Sequence, residues 1–399
     1  VKQRIRRIFI STGEVSGDLQ GSLLVQALQR QAAQRYLELE ILALGGERMA
    51  AAGAKLLADT SAIGSIGIVE SLPYVLSTLR IQRRVKQQLR QHPPDLVVMI
   101  DYFGPNLGIG SFVRQALPQV PTVYYIAPQE WVWSINRHNT ERILQITDRL
   151  LAIFPAEADY YRNQGGSVTW VGHPLIDRVQ SAPTRAQARQ QLGLDADQLV
   201  IALIPASRRQ ELKYVLPILC EAAQHIQAQL PQVQFWIPLS LEQYRPAMEA
   251  AIQRYGLQAR IVSGQSQTVI AAADLALAKS GTVNLEIALL NVPQVVMYRI
   301  HPVTAWIAEH LLKFSAPFVS PPNLVLMEPL IPEFLQTQAT PERIAAAALD
   351  ILCHDQRRQE IQAGYQRLRQ QLGAVGVCDR AAGEILELLD TALRNRGIT

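Results

Sequence analysis

Leu275-Ala-Leu-Ala-Lys-Ser-Gly-Thr-Val-Asn-Leu-Glu286 is the stretch that decides the fold. Leu275–Ala278 is apolar without polar alternation and reads as a buried strand; Leu285, Ala288 and Leu289 then recur at helical spacing. A fully buried strand followed at once by an amphipathic helix is the building block of a parallel sheet covered on both faces. Between them, Gly281 permits close backbone approach and Ser280 and Thr282 bring hydroxyls to a helix start, where exposed N–H groups suit a diphosphate. Glu286, one helical turn beyond Thr282, is placed to meet ribose hydroxyls. An ordinary Ser/Thr cap with a structural glutamate has the same spacing, so this segment alone leaves both readings open.

The same alternation runs outward in both directions. Ile8–Ile10, Leu96–Ile100, Thr122–Ile126, Leu150–Phe154 and Val168–Val171 read as one series of strands. After Gly172-His173-Pro174 and the polar stretch from Ser181, a second series follows at Leu199–Ile204, Val233–Ile237, Arg260–Ser263, Leu275–Ala278 and Gln294–Met297. The predicted architecture is α/β, with two doubly wound Rossmann-like domains facing across a cleft and a helical C-terminus. Its expected divisions are residues 1–173, 174–374 and 375–399, the last a helix near Arg380–Leu393 after a break at Gly373–Gly376. This helix is expected to pack back on the first domain or to be exchanged in a dimer. Open α/β sheets bind ligands beyond their strand C-termini.

Composition narrows the function. The chain has 399 residues, 48% of them hydrophobic, which suffices for two cores. Lys+Arg number 38 against Asp+Glu 34, a net +4 that argues against bulk nucleic-acid binding and leaves room for a local basic patch. Cys220, Cys353 and Cys378 lack metal-ligand spacing and read as reduced thiols, so neither a metal site nor a cofactor is expected. The apolar part of the N-terminus is too short for a signal-peptide core, and no run reaches the ~18–20 apolar residues that span a bilayer. A cytoplasmic protein, soluble or peripherally attached to a membrane, is expected.

Further polar segments sit at predicted strand ends. Pro205-Ala-Ser-Arg-Arg-Gln-Glu211 follows Leu199–Ile204; Arg208 suits paired phosphate oxygens, and an Arg–Glu211 surface ion pair is the plainer reading. Two phosphate-type loops at corresponding strand ends favour a nucleotide-diphosphate site. In Ser11-Thr-Gly-Glu-Val-Ser-Gly-Asp18 the carboxylates of Glu14 and Asp18 would repel phosphate but hydrogen-bond sugar hydroxyls, with helix capping the alternative for Asp18. Asp101 ends an apolar strand, where an acid of pKa about 3.9 is ionised at neutral pH and able to take a proton from a hydroxyl; a turn-forming Asp before Gly104-Pro105 is the alternative. Gln129 and Glu130 stand polar among Tyr124, Tyr125, Trp131 and Trp133, which fits sugar recognition or, for the tryptophans, core packing. Ile66, Ile68, Val69, Leu72, Val75 and Leu76 precede Arg80, Arg83, Arg84 and Arg90, which share a helix face. That pairing suits an anionic lipid surface, or a core loop followed by a solvated basic helix.

These segments, in order, resemble the lipid-A-disaccharide synthase family of inverting GT-B-type glycosyltransferases. The matching pieces are Gly13–Asp18, Ile66–Glu70, Ile100-Asp101 with Asn106, Pro128–Trp133, Gly172–Pro174, Ser207-Arg208, Ser280–Thr282 with Glu286, and Pro322-Asn323-Leu324. The resemblance implies transfer of 2,3-diacylglucosamine from UDP to 2,3-diacylglucosamine 1-phosphate, with Asp101 as base. It groups Glu14, Ser16, Asp18, Asn106, Gln129 and Glu130 about the acceptor, and Ser207, Arg208, Glu211, Ser280, Gly281, Thr282, Glu286 and Asn323 about the donor. It further implies membrane docking through the segment near Ile66–Leu76, attachment to the inner membrane, and a homodimer. The chain departs from the family at Gly104-Pro105, where a second Asp and a Phe are usual, and at Ala206, where Gly is usual. Another UDP-N-acetylglucosamine enzyme of this architecture, an epimerase or cell-wall glycosyltransferase, and a non-catalytic UDP-sugar-binding membrane adaptor are the alternatives.

Overall fold

Short apolar runs, too continuous for a sheet with one wet face, become parallel strands in a computed structural model of the chain. The structure describes residues 5–61, 68–132, 137–307 and 317–397, without the side chains of 68–73 and 137. The first sheet comprises β1 (Arg6–Ser11), β2 (Leu39–Gly45), β3 (Lys55–Asp59), β4 (Leu96–Ile100), β5 (Thr122–Tyr125), β6 (Arg149–Ala152) and β7 (Val168–Trp170). Its spatial order is β3-β2-β1-β4-β5-β6-β7. The second holds β8 (Val200–Ile204), β9 (Gln234–Leu239), β10 (Ala259–Ser263), β11 (Leu275–Lys279), β12 (Gln294–Tyr298) and β13 (Glu333–Leu335), ordered β10-β9-β8-β11-β12-β13. Each is a doubly wound sheet whose order reverses once, at β1/β4 and at β8/β11. The described chain thus has the α/β, GT-B-like fold that the alternation predicts.

The chain divides into two compact units, residues 1–177 with 372–399, and 178–371. In the first, Phe9, Val97, Met99, Tyr124 and Leu150 meet in a closed core under the sheet. In the second, Ile204, Trp236, Ala278 and Ile287 do the same. β2, β3 and β13 were not among the predicted strands. β3 is nowhere fully buried, its apolar run limited to Leu56–Ala58 between charged residues, and β13 has only three residues.

The last helix, Val377–Asn395, belongs to the first unit and lies against the helix Glu14–Gln34. Its buried Val377, Ala381, Ala382, Ile385, Leu386, Leu389 and Leu393 recur every three to four residues and form one apolar stripe. Gly373 and Gly376 enter it with φ of 93° and 90°, a left-handed backbone that glycine adopts without steric cost. The entry is pinned by Asp177, whose carboxylate accepts the N–H groups of Gly376 at 2.6 Å and Cys378 at 2.7 Å. Arg380 adds bonds from Nε and Nη2 to the Val171 carbonyl at 3.1 and 2.9 Å. The exposed ion pairs Arg30–Asp379 and Arg35–Asp390 add little beside this packing.

Leu386→Ala, which empties a fully buried position on this stripe, is expected to destabilise the protein by about 2–5 kcal/mol. Urea denaturation followed by circular dichroism measures the loss.

Candidate active site

In an open α/β sheet the two strands flanking the order reversal send their following loops in opposite directions, leaving a crevice at their C-terminal ends. Both of this chain's reversals carry polar loops. At β1/β4 these are the loops Ser11–Glu14 and Asp101–Asn106; at β8/β11 they are Ala206–Arg208 and Lys279–Thr282.

The first crevice is held in a strained backbone. Glu14, Asp101, Tyr102 and Ile126 have φ of 63°, 44°, 49° and 60°. Left-handed geometry in non-glycine residues costs of order 1–3 kcal/mol each and persists only where surrounding contacts enforce it. Asn106 does the enforcing. Its amide donates to the carbonyls of Ile100 at 3.1 Å and Asp101 at 2.6 Å, and its Oδ1 accepts from the Ser11 hydroxyl at 2.7 Å. Tyr124 donates to the Asp101 carbonyl at 2.9 Å, and the Asp101 N–H donates to Ile126 at 3.0 Å. The main chain at Asp101 is therefore fixed by Asn106, Tyr124 and Ile126 while the residue itself is exposed. Gly13 allows the β1 loop to pass under Tyr102, since a Cβ there would lie 2.7 Å from the tyrosine ring.

The predicted acceptor residues separate into two groups. Glu14 and Ser16 are half-buried and Gln129 is exposed, all accessible to a ligand; Glu130 is half-buried as well, but one carboxylate oxygen is sealed from solvent and the other accepts from the Asn139 amide at 3.3 Å. Asn106 is fully buried, its amide engaged as described. Asp18 is 4% exposed and caps a neighbouring helix instead of facing a sugar: it accepts from Gly46 at 2.7 Å, Arg48 at 3.2 Å and Met49 at 3.1 Å. The loop bearing Gln129 and Glu130 is anchored by Tyr161, whose hydroxyl donates to the Pro128 carbonyl at 2.9 Å, and by Trp131 against Phe154, with ring centroids 5.7 Å apart. Trp133 lies outside the described residues.

Glu157, unremarked in the sequence, sits beneath this loop. It is 1% exposed and accepts from the N–H groups of Ile153 at 2.8 Å and Phe154 at 3.3 Å, with the Ala127 N–H also directed at the carboxyl. Burial pushes its carboxyl up to about 8, against the opposing pull of those N–H groups and with a further push from the Asp101 charge. Nearby His173 is also buried, and loss of water takes its imidazole down to about 3.

The second crevice is organised by Glu211, 1% exposed. One carboxylate oxygen accepts from the Ser207 N–H at 2.6 Å, the Ser207 hydroxyl at 3.3 Å and the Arg208 N–H at 3.0 Å. The other faces Arg208 Nη1 at 3.3 Å and Lys279 Nζ at 3.4 Å, with the Tyr298 hydroxyl at 3.5 Å. Burial alone would raise this carboxyl, but the two cations and the backbone donors outweigh it and hold the group below its ordinary range. Two cations thus converge on one carboxylate at the mouth of the sheet.

Asn284 shapes the adjoining loop, accepting the Gly281 N–H at 2.7 Å and donating to the Lys279 carbonyl at 3.2 Å. Gly281 has φ 157°, and Thr282 beside it is half-buried. Ser280 donates to the Val319 carbonyl at 3.0 Å. Of the other predicted donor residues, Glu286 is 5% exposed and faces Arg178 Nε at 3.0 Å. Asn323 is 1% exposed and supports a loop, bonding Ile331 in both directions at 2.9 Å and donating to Glu333 at 3.1 Å. Glu211 and Asn323 are therefore scaffolding where ligand contacts were expected.

A family profile described as lipid-A-disaccharide synthetase matches residues 8–387. The chain belongs to the lipid-A-disaccharide synthase family. Within that family, the lipid-A-disaccharide synthase of Gloeothece citriformis is 59% identical to it, over 96% of this chain and 99% of the relative. Among solved structures, Staphylococcus aureus MnaA in complex with UDP superimposes with a TM-score of 0.67 at 14% identity, covering 96% of this chain and 97% of the other. WaaG, a glycosyltransferase involved in lipopolysaccharide biosynthesis, gives a TM-score of 0.52 at 14% identity, over 96% and 99% of the two chains. These structural likenesses bear on the fold; membership of the lipid-A-disaccharide synthase family rests on the sequence matches.

Of the predicted membrane segment, Ile66 and the side chains of Ile68, Val69 and Leu72 lie outside the described residues. The backbone from Ile68 to Gln91 is one helix. On it Val75, Leu76 and Leu79 are 45%, 67% and 52% exposed, and Arg80, Arg83, Arg84 and Arg90 are exposed as well. No helix among the described residues is long and apolar enough to cross a membrane.

Because Glu157 keeps its proton in the fold far above the pH at which an unfolded glutamate loses it, its contribution to stability is complete below pH about 4.5 and is lost as pH rises toward about 8. Glu157→Gln removes that titration. Between pH 5 and 8 the variant is expected to gain stability relative to the parent, a trend that melting temperatures across the range measure directly.

Proposed function

We propose that this protein is a lipid-A-disaccharide synthase that transfers 2,3-diacylglucosamine from UDP to 2,3-diacylglucosamine 1-phosphate, with inversion at the anomeric carbon. The observation that carries the residue assignment is the opposite chemistry of the two strand-order reversals: an exposed, backbone-clamped carboxylate at Asp101, and two cations on one carboxylate at Arg208, Lys279 and Glu211. The first fits activation of a nucleophile and the second fits a diphosphate leaving group.

In the step proposed, Asp101 accepts the proton of the acceptor's 6-hydroxyl as that oxygen bonds the donor's anomeric carbon. The bond from that carbon to the diphosphate oxygen breaks, and its electron pair leaves with UDP. Arg208 and Thr282 receive the developing negative charge, while Glu286, ion-paired with Arg178, borders the loop from within. Asn106, Ser11 and Tyr124 keep Asp101 in place, so little reorganisation accompanies proton transfer. Glu14, Ser16 and Gln129 supply the accessible polar groups for sugar hydroxyls, with Glu130 held by Asn139 beside them.

Both substrates carry acyl chains, and the helix Ile68–Gln91 offers a surface for their membrane. An aliphatic side chain transferred from water contributes about 1.5–3 kcal/mol, and an arginine near anionic lipid about 1 kcal/mol. Val75, Leu76 and Leu79 with the arginines beside them support peripheral attachment to an anionic inner-membrane surface. A homodimer, carried over from the family, completes the reading.

Asp101→Ala is expected to lower turnover by about 10²–10⁴-fold while UDP binding persists. Mass spectrometry of the disaccharide formed from the diacylated donor and acceptor, with UDP binding followed by calorimetry, tests both parts. Unchanged turnover removes Asp101 from the base role, and turnover of UDP-N-acetylglucosamine in place of the diacylated donor overturns the substrate assignment.

A further inference from the structure

Lys279 closes a strand that is otherwise Leu-Ala-Leu-Ala, and a lysine with a side chain only 6% exposed is rare unless it is paired. Its partner comes from the other side of the β8/β11 reversal: Glu211 Oε1, 3.4 Å from Nζ. That same oxygen lies 3.3 Å from Arg208 Nη1, while Oε2 is engaged by the N–H groups of Ser207 and Arg208 and the Ser207 hydroxyl. The ammonium lies directly beside the Gly281 backbone, where a Cβ would come within 2.9 Å of Nζ. A side chain at position 281 would therefore crowd the lysine as well as any approaching ligand.

The charges in this cluster decide what it can attract. Arg208 and Glu211 alone sum to zero, and a neutral buried pair offers little to an anion. Lys279 makes the sum +1. We propose that Lys279 is a positioning residue for the donor: acting through Glu211, it gives the cluster the net positive charge that Arg208 presents to the diphosphate. The inference rests on the donor reading given above and adds to it a residue without which that site is electrically neutral. Lys279 also fixes the distance between the two loops, since Glu211 holds the Ser207–Arg208 backbone by one oxygen and the lysine by the other.

Lys279→Met keeps the length and apolar stem of the side chain and removes its charge. Calorimetry with UDP and with uridine, which lacks phosphates, separates electrostatics from shape. The variant is expected to bind UDP at least about tenfold more weakly with its affinity for uridine unchanged, and Lys279→Arg is expected to restore UDP binding. The double variant Lys279→Met with Glu211→Gln returns the cluster to +1 through Arg208 alone and is expected to recover UDP affinity relative to Lys279→Met. Equal losses for UDP and uridine, or no recovery in the double variant, would assign the lysine a purely structural part and overturn the inference. Undiminished UDP binding by Lys279→Met overturns it too. Absence of UDP binding by the unaltered protein would instead overturn the donor reading itself, and the inference with it.

Discussion

A parallel sheet whose strand order reverses has one weak seam, where neighbouring strands hand their chains to opposite faces and no hydrogen-bonded ladder joins the loops that follow. This chain closes that seam twice with buried polar side chains. In the first sheet Ser11, the last residue of β1, meets Asn106, after β4; in the second Glu211, after β8, meets Lys279 at the end of β11. A polar group sealed away from water costs stability unless its partner is present, so each bridge fixes loop spacing sharply. The proposed base and the proposed phosphate-binding arginine are each hung from one of these two ties. The Asn106 amide fixes the Asp101 main chain, and the Glu211 carboxylate fixes the Ser207–Arg208 main chain.

The two ties differ in the charge they leave. The Ser11–Asn106 bridge is neutral and its surroundings contribute carboxylates, Glu14 and Asp101. The Glu211–Lys279 bridge is ionic and adds Arg208. A glycosyl transfer separates charge in that sense, with a proton removed at the nucleophile and negative charge accumulating on the departing diphosphate. One fold, used twice, thus acquires two electrostatic characters through a few residues at equivalent positions, which is how a common scaffold comes to host specific chemistry.

What the sequence made legible follows from the range of the forces involved. β4, Leu96–Ile100, is a continuous apolar run, and its prediction coincides with the observed strand because burial on both faces needs no other partner. β3 escaped notice because its residues are only partly shielded, and β2 because the link from the preceding long helix, Arg35-Tyr-Leu-Glu38, contains no Gly, Pro, Asn, Asp or Ser to announce a turn. Asp101 stood out as an acid ending an apolar strand. The engagement of Asn106 did not, because it depends on the left-handed pair Asp101–Tyr102, a conformation that neither residue type announces. Lys279 passed without comment because the strand was read as ending at Ala278, and its partner Glu211 lies far away in sequence, brought to it only by the β8–β11 pairing.

The return of the helix Val377–Asn395 to the first unit has a consequence for biosynthesis. Residues 178–371 are contiguous and can collapse as soon as they leave the ribosome, whereas the earlier unit lacks its covering helix until residues 377–395 have followed them. Until then the flank of the helix Glu14–Gln34 that the last helix will cover stays wet. The portion made first is thus the portion finished last, and nascent chains stalled short of residue 377 would be natural clients for chaperones.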